Sequence, residues 1–359
     1  MKRCKRCLIP DTRPDTAFID GVCSACLHHD RQKLIEWDVR RCDLVDLFDR
    51  QKPNSSGFDC IVASSGGKDS TAQVLDLIEF GARPLLVTAT TCMLTSIGRK
   101  NIDNLKKYAS TIEVSTDAEV RARLNYLGLT LVGDISWPEH VAIFTTPMRI
   151  AVALGIPLVF YGENPQAQYG GPVGSAEAVQ MTRRWVSEFG GFLGLRPIDV
   201  IGQKLDKDRL IGPSHMREYA FPEDRDIRKA KVEAHFLGEY LGPSNSRENA
   251  RRAIAAGMEV QRPHAGAWWG FENLDNAMTG IHDWFMLRKY GYGRACAQLS
   301  VDIRNGFVTR SEAEAALLSM EGIFPRTYMN VPFEAVLEKI GMSYEEFYAI
   351  EKKFTSVVM

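Results

Sequence analysis

The sequence predicts an α/β fold: a doubly wound parallel sheet, preceded by a four-cysteine segment and followed by a mainly helical region. Three observations predict it. Short apolar runs alternate with amphipathic stretches from residue 58 to 161, the pattern of parallel strands joined by helices. A glycine loop, Ser64-Ser65-Gly66-Gly67-Lys68-Asp69-Ser70, joins the first apolar run to the first helical stretch. Two cysteine pairs, Cys4-x2-Cys7 and Cys23-x2-Cys26, stand before the alternation begins.

In order, residues 1–50 read as the cysteine segment and a charged helical stretch from Asp30 to Arg50. Gln51 to Gly57 is a polar cluster of turn formers and a natural boundary. Asp59–Ala63 is apolar and short, suited to a buried parallel strand. Thr71–Phe80 places Val74, Leu75, Leu77 and Ile78 at helical spacing, and Gly81 ends it. Pro84–Thr88 predicts a second strand, Ser96–Tyr108 a helix with Ser96 at its N-cap, and Thr111–Ser115 a third strand. Pro138–Leu154 reads as a long helix and Pro157–Tyr161 as a further strand. The sheet region is expected over 57–215. Past it, over 216–359, β signals fade, and Glu223–Tyr240, Ser244–Gly257, Asn273–Tyr290, Arg310–Glu321 and Tyr344–Phe354 read as helices of a substrate or partner region.

At 359 residues the chain favours two or three domains over one. A net charge of −1 argues against a polyanionic partner such as bulk nucleic acid. No apolar run approaches the roughly 20 residues of a membrane-spanning helix. The basic N-terminus lacks the apolar stretch of a signal peptide, so a cytoplasmic protein is expected. In that compartment clustered cysteines read as metal ligands sooner than as disulfides. Each Cys-x-x-Cys turn sets two thiolates on one side of a knuckle, and Cys4, Cys7, Cys23 and Cys26 would complete a tetrahedron. Zinc is favoured and an iron–sulfur cluster is the lesser alternative. His28 and His29 read as bystanders, and Cys60 and Cys92 as structural.

The loop offers the most chemistry. Gly66 and Gly67 permit backbone angles that let several N–H groups converge on one anion. The next helix adds its positive end, Lys68 a charge, and Ser64, Ser65 and Ser70 hydroxyls. It is not a Walker A loop, because Val62 stands where the first glycine belongs and Asp69 follows the lysine. Glu163, in Tyr161-Gly162-Glu163-Asn164 at the end of a predicted strand, is expected on the same edge of the sheet.

This loop resembles the Ser-Gly-Gly-x-Asp-Ser loop of the PP-loop ATP pyrophosphatases, a superfamily with an adenine nucleotide alpha-hydrolase-like fold. The resemblance implies that ATP is bound by Ser64 to Ser70 with Thr88, Ala89 and Gly162, and is cleaved to AMP and pyrophosphate. Lys68, Asp69 and Glu163 are then the catalytic candidates, the two carboxylates toward Mg²⁺. Further runs narrow the likeness: Ile97-Gly98-Arg99-Lys100-Asn101, Gly133-Asp134-Ile135-Ser136-Trp137-Pro138, Tyr169-Gly170-Gly171 and Glu272-Asn273-Leu274-Asp275. So do Gly280-Ile281-His282-Asp283, Tyr290-Gly291-Tyr292-Gly293-Arg294 and Asp302-Ile303-Arg304-Asn305-Gly306. With the cysteine pairs, these make the chain similar to the N-acetyl sugar amidotransferases of bacterial surface-polysaccharide (lipopolysaccharide, O-antigen) and nonulosonic-acid biosynthesis.

That likeness implies adenylation of an N-acetyl oxygen on a sugar, then attack by ammonia to leave an acetamidino group. It also implies a partner glutaminase with a cyclase-like channelling subunit. Substrate contacts are expected from Asn164, Tyr169, His282, Asp283, Arg294 and Arg304. Arg294 is read at the tip of a turn, and Asp302 and Arg304 on one side of an extended stretch. Gln168 departs from the acidic residue expected before Tyr169-Gly170-Gly171. Trp268-Trp269 reads either as a sugar-stacking platform or as a buried aromatic pair. The competing readings are a tRNA-modifying PP-loop enzyme of the thiolating type, against which the net charge argues, and a non-enzymatic zinc-ribbon module, against which the intact loop argues.

Overall fold

The computed structural model describes residues 1–55, 57–162, 164–172, 174–205, 209–242, 245–264 and 266–356. The second cysteine pair follows a two-residue ribbon, Phe18–Ile19 against Val22–Cys23. Helices α1 (Ser24–Gln32) and α2 (Trp37–Gln51) lead from it to the sheet. The alternation then runs β1 (Cys60–Ala63), α3 (Lys68–Glu79), β2 (Pro84–Ala89), α4 (Ser96–Leu105) and β3 (Thr111–Val114). Next come α5 (Ala118–Val132), α6 (Trp137–Leu154), β4 (Leu158–Tyr161), α7 (Pro165–Tyr169), α8 (Arg183–Phe189), α9 (Asp224–Ala230) and β5 (Glu233–Phe236). The remainder is mainly helical: α10 (Ser246–Ala255), α11 (Thr279–Tyr290), α12 (Arg294–Arg304), α13 (Arg310–Met320), α14 (Phe333–Ile340) and α15 (Tyr344–Phe354).

All five strands are parallel, in the order β3-β2-β1-β4-β5. The direction of winding reverses between β1 and β4, so the loops after these two strands open a crevice at the carboxyl edge. Alternation fills both faces. Ile61 and Val159 pack with Met148 of α6 and Trp185 of α8 on one side. Val62 and Phe160 pack with Leu44 and Leu47 of α2 and Leu77 of α3 on the other. A further core joins Leu129 and Ile135 to Phe285, Phe333 and Phe347 of the helical region.

Several expectations are corrected. The helix over 223–240 stops at Ala230, where Lys231 turns left-handed at φ 54°, and β5 follows as an edge strand. Pairing with β4, and burial of Ala234 and Phe236, override the helical appearance of that charged stretch. Thr95, not Ser96, caps α4: its hydroxyl accepts from the Gly98 N–H at 2.9 Å. The helix expected from Asn273 begins at Thr279, because residues 273–278 run along the loop after β2 instead. Asp302 and Arg304 are helical, in α12, rather than extended. Helix α5, capped by Asp117, was not anticipated.

Candidate active site

The glycine loop leaves β1 at Ala63 and enters α3 at Lys68. Gly66 sits at φ +79°, and a Cβ there would meet the Asn101–Ile102 backbone of α4 at 2.7–2.8 Å. Only glycine fits this approach. The Ser64 N–H donates to the Val87 carbonyl at 2.9 Å, tying the loop to β2. The Ser65 hydroxyl accepts from the Gly67 N–H at 3.4 Å, and the Ser70 hydroxyl donates to the Gly67 carbonyl at 3.1 Å. The positive end of α3 therefore faces the crevice.

Lys68 is 3% exposed, and its ammonium lies between two carboxylates. It contacts Asp69 closely and donates to Glu272 Oε1 at 3.0 Å. Asp69 accepts from Asn249 Nδ2 of α10 at 2.9 Å, and Glu272 from Gln298 Nε2 of α12 at 2.7 Å. Burial would raise the Glu272 carboxyl, but Lys68, Arg294 and the Gln298 bond outweigh it and hold it below its ordinary range. Two carboxylates around one ammonium leave the cluster net negative. Hard oxygen donors of this kind suit Mg²⁺, so Asp69 and Glu272 are the residues that would hold it. Glu163 lies outside the described residues.

Two cavities flank the loop. The first, about 260 Å³, has apolar walls from Val87, Ala89, Ile143, Phe144, Pro147 and Tyr161, and meets the loop at Ser64, Ser65 and Ser70. Pro147 lies inside α6 and has no N–H, which frees the Ile143 carbonyl from its intrahelical bond. Strand alternation turns Val87 and Ala89 toward this space, while the Thr88 side chain is buried off it. Gly162 borders the cavity, where a Cβ would meet Gln73 Nε2 at 2.7 Å and push that side chain aside. The second cavity, about 370 Å³, mixes apolar walls with charged groups: residues 65–70 of the loop face Asn101, Tyr169, Glu272 and Arg294, with Met258, Phe271 and Leu274 beside them.

Asp275 borders both cavities. Its segment is anchored to the loop after β2 by Thr95 N–H to the Asp275 carbonyl at 3.1 Å and Ala277 N–H to the Met93 carbonyl at 3.0 Å. Burial, with Glu139 nearby, pushes the Asp275 carboxyl up to about 6. The folded chain thus keeps this proton to higher pH than the unfolded chain, whose ordinary value is 3.8. The group costs nothing below about pH 4 and destabilises progressively as pH rises through 4 to 6. Because the carboxylate faces solvent-reached cavities, the cost is discounted to about 1–2 kcal/mol. Asp275→Asn is expected to raise stability by that amount at pH 7.5 and by almost nothing at pH 4, read from urea unfolding at both.

The residues expected at the substrate divide. Tyr169 and Arg294 line the second cavity. Arg294 is not a turn tip but the first residue of α12, largely buried and paired with Asp283 at 2.7 Å. Asp283 thus acts through Arg294. Asn164 is 1% exposed and occupied locally: Oδ1 accepts from the Gln166 N–H to cap α7, and Nδ2 donates to the Ser175 carbonyl at 2.6 Å. His282 bonds Asp134 and borders neither cavity. Arg304 donates to the Gln168 carbonyl and lies 3.9 Å from Cys7 Sγ, beside the cysteines instead of the loop. Trp268 and Trp269 both donate their indole N–H to Asp302 Oδ2, at 2.6 and 3.0 Å, which fixes the pair by its edges, Trp269 buried and Trp268 half-buried.

Glu272, Asp275 and Asn249 went unassigned in the sequence. The Glu272-to-Asp275 run stood out as a motif, but nothing local shows that it meets a lysine 204 positions earlier.

The four cysteines are fully buried together. Cys4 and Cys26 sulfurs are 3.9 Å apart, and those of Cys7 and Cys23 3.6 Å. Zinc bonded tetrahedrally at about 2.3 Å needs sulfurs about 3.8 Å apart. The donor set therefore fits zinc, with Ile9 and Ala25 packed around it.

Residues 266–357 match the family model described as LPS biosynthesis protein WbpG-like, C-terminal domain. No curated protein matches the chain. The matched stretch supplies Glu272, Asp275 and Arg294 to the crevice.

Proposed function

We propose that the chain is an AMP-forming amidotransferase of surface-polysaccharide biosynthesis, converting the N-acetyl group of a bacterial sugar to an acetamidino group. The observation that carries the reading is Lys68. It is buried at a glycine loop at the sheet's switch point, where it lines the cavity holding Arg294 and Tyr169, and the same loop borders the apolar cavity of adenine size through Ser64, Ser65 and Ser70. The match of residues 266–357 to a lipopolysaccharide-biosynthesis family supports the choice of a sugar as acceptor.

On this reading adenine enters the apolar cavity, and the loop N–H groups and Lys68 hold the β and γ phosphates. Mg²⁺, when bound at Asp69 and Glu272, neutralises charge on the departing pyrophosphate. The N-acetyl oxygen, presented in the second cavity, attacks the α phosphorus, and pyrophosphate leaves. An amide oxygen is a poor leaving group, and joining it to AMP makes it a good one. Ammonia then adds to the imidate carbon, gives up a proton to Asp275, and AMP departs. Burial pushes Cys92 up to about 12 and Cys60 well above the usual thiol range, which suits neither as a glutaminase nucleophile. Ammonia then comes from solution or from a partner, and the resemblance favours a partner glutaminase with a cyclase-like channelling subunit. No helix among the described residues is long and apolar enough to cross a membrane, in keeping with a cytoplasmic reaction.

The test is to incubate the protein with ATP, Mg²⁺, ammonium and N-acetylated sugars. AMP, pyrophosphate and a sugar product in which NH replaces O are expected. ADP as the nucleotide product would sink the reading, and ATP cleavage that requires tRNA would favour the tRNA-modifying alternative.

A further inference from the structure

Asp134, His140 and His282 come from three places: the turn before α6, the first turn of α6, and the first turn of α11. One ligand atom from each lies within 4.8 Å of the others. His282 Nδ1 is 2.7 Å from Asp134 Oδ1, and His140 Nδ1 is 3.1 Å from Oδ2. Asp134 is 6% exposed, whereas the histidine side chains keep 21% and 29% of their surface.

A carboxylate fixing two imidazoles by hydrogen bonds is the simplest account of this cluster. Two observations go past it. His140 Nδ1 is buried and close to Oδ2, yet is not aligned to hydrogen-bond to it or to anything else. Second, the 3.1 Å separation lies within the ligand–ligand distances of about 2.9–3.4 Å around an ion with bonds of about 2.0–2.1 Å, and the 2.7 Å one is only slightly shorter. Gly191, at φ +76°, covers the His140 ring, where a Cβ would come within 3.1 Å of Nδ1.

We propose that Asp134, His140 and His282 form a second metal site, for a divalent transition ion of the zinc type. Two imidazoles and one carboxylate suit such an ion better than Mg²⁺, which prefers oxygen alone. Three protein ligands leave a coordination position open, and both histidine side chains keep part of their surface exposed. The ion would pin α11 to the α5–α6 turn. His282 adjoins Asp283, whose carboxylate holds Arg294 at the second cavity, so the ion would also fix that arginine. The site does not depend on the reaction proposed above.

The full-length protein, saturated with zinc and freed of excess, should hold about two zinc ions per chain. Its zinc X-ray absorption should show nitrogen or oxygen neighbours at about 2.0 Å beside sulfur at about 2.3 Å. His140→Ala and His282→Ala should each lose about one zinc and the light-atom signal while keeping the sulfur signal. Wild-type protein with sulfur neighbours only, and zinc no more than the cysteine cluster holds, would overturn the proposal whether or not the variants fold. Folded histidine variants with unchanged zinc would do the same.

Discussion

Lys68→Ala is expected to lower AMP-forming turnover about 10²–10³-fold, the usual loss when one charge aimed at a developing anion is removed. The ammonium is the one formal positive charge that the loop itself contributes, and it is almost wholly buried. Its loss also takes from Asp69 and Glu272 the ammonium that both contact directly, so stability should fall by roughly 3 kcal/mol. Lys68→Arg should rescue poorly, because a planar guanidinium cannot take the compact position between two carboxylates. Rate by AMP release, and folding by thermal unfolding, separate the two effects. Turnover within a few-fold of wild type would remove the loop lysine from the chemistry.

Cys7→Ser is expected to abolish metal retention at the cysteine cluster and to lower the unfolding midpoint by roughly 5 °C, since each of a few kcal/mol moves a chain of 359 residues by about 1–2 °C. The effect should reach past the N-terminal segment. Leu8 packs with Tyr292, Cys296 and Leu299, and its N–H donates to Ser300 Oγ at 3.1 Å. Arg310 donates to the Cys7 carbonyl at 2.6 Å. Helices α12 and α13 thus rest on the knuckles, and α12 carries Arg294 and Gln298 to the crevice. Metal analysis and calorimetry check both parts. A variant that loses its metal but unfolds at the wild-type temperature would show that the cluster does not hold these helices.

The parallel strands were legible because strands buried on both faces are continuous apolar runs, as Cys60–Ala63 and Leu158–Tyr161 are. β5 was not, because Glu233-Ala234-His235-Phe236 is an edge strand with polar residues at alternate positions amid charged sequence. The loop from Ser64 to Ser70 could be read because its chemistry lies in consecutive residues. Glu272, Asp275 and Asn249 could not, because only folding brings them to Lys68 and Asp69. Asn164 and Arg304 carried the right chemistry, but neighbours claim it: Ser175 for one, the Gln168 carbonyl for the other. Side-chain type shows what a residue is able to bind; the competing partner, visible only in three dimensions, decides whether it is free to.

The route of one oxygen atom tests the proposed chemistry most directly. An N-acetyl sugar labelled with ¹⁸O in its acetyl carbonyl, turned over with ATP, Mg²⁺ and ammonium, should deliver that label to the phosphate of AMP. Label found in water or inorganic phosphate, with AMP unlabelled, would contradict adenylation of the N-acetyl oxygen.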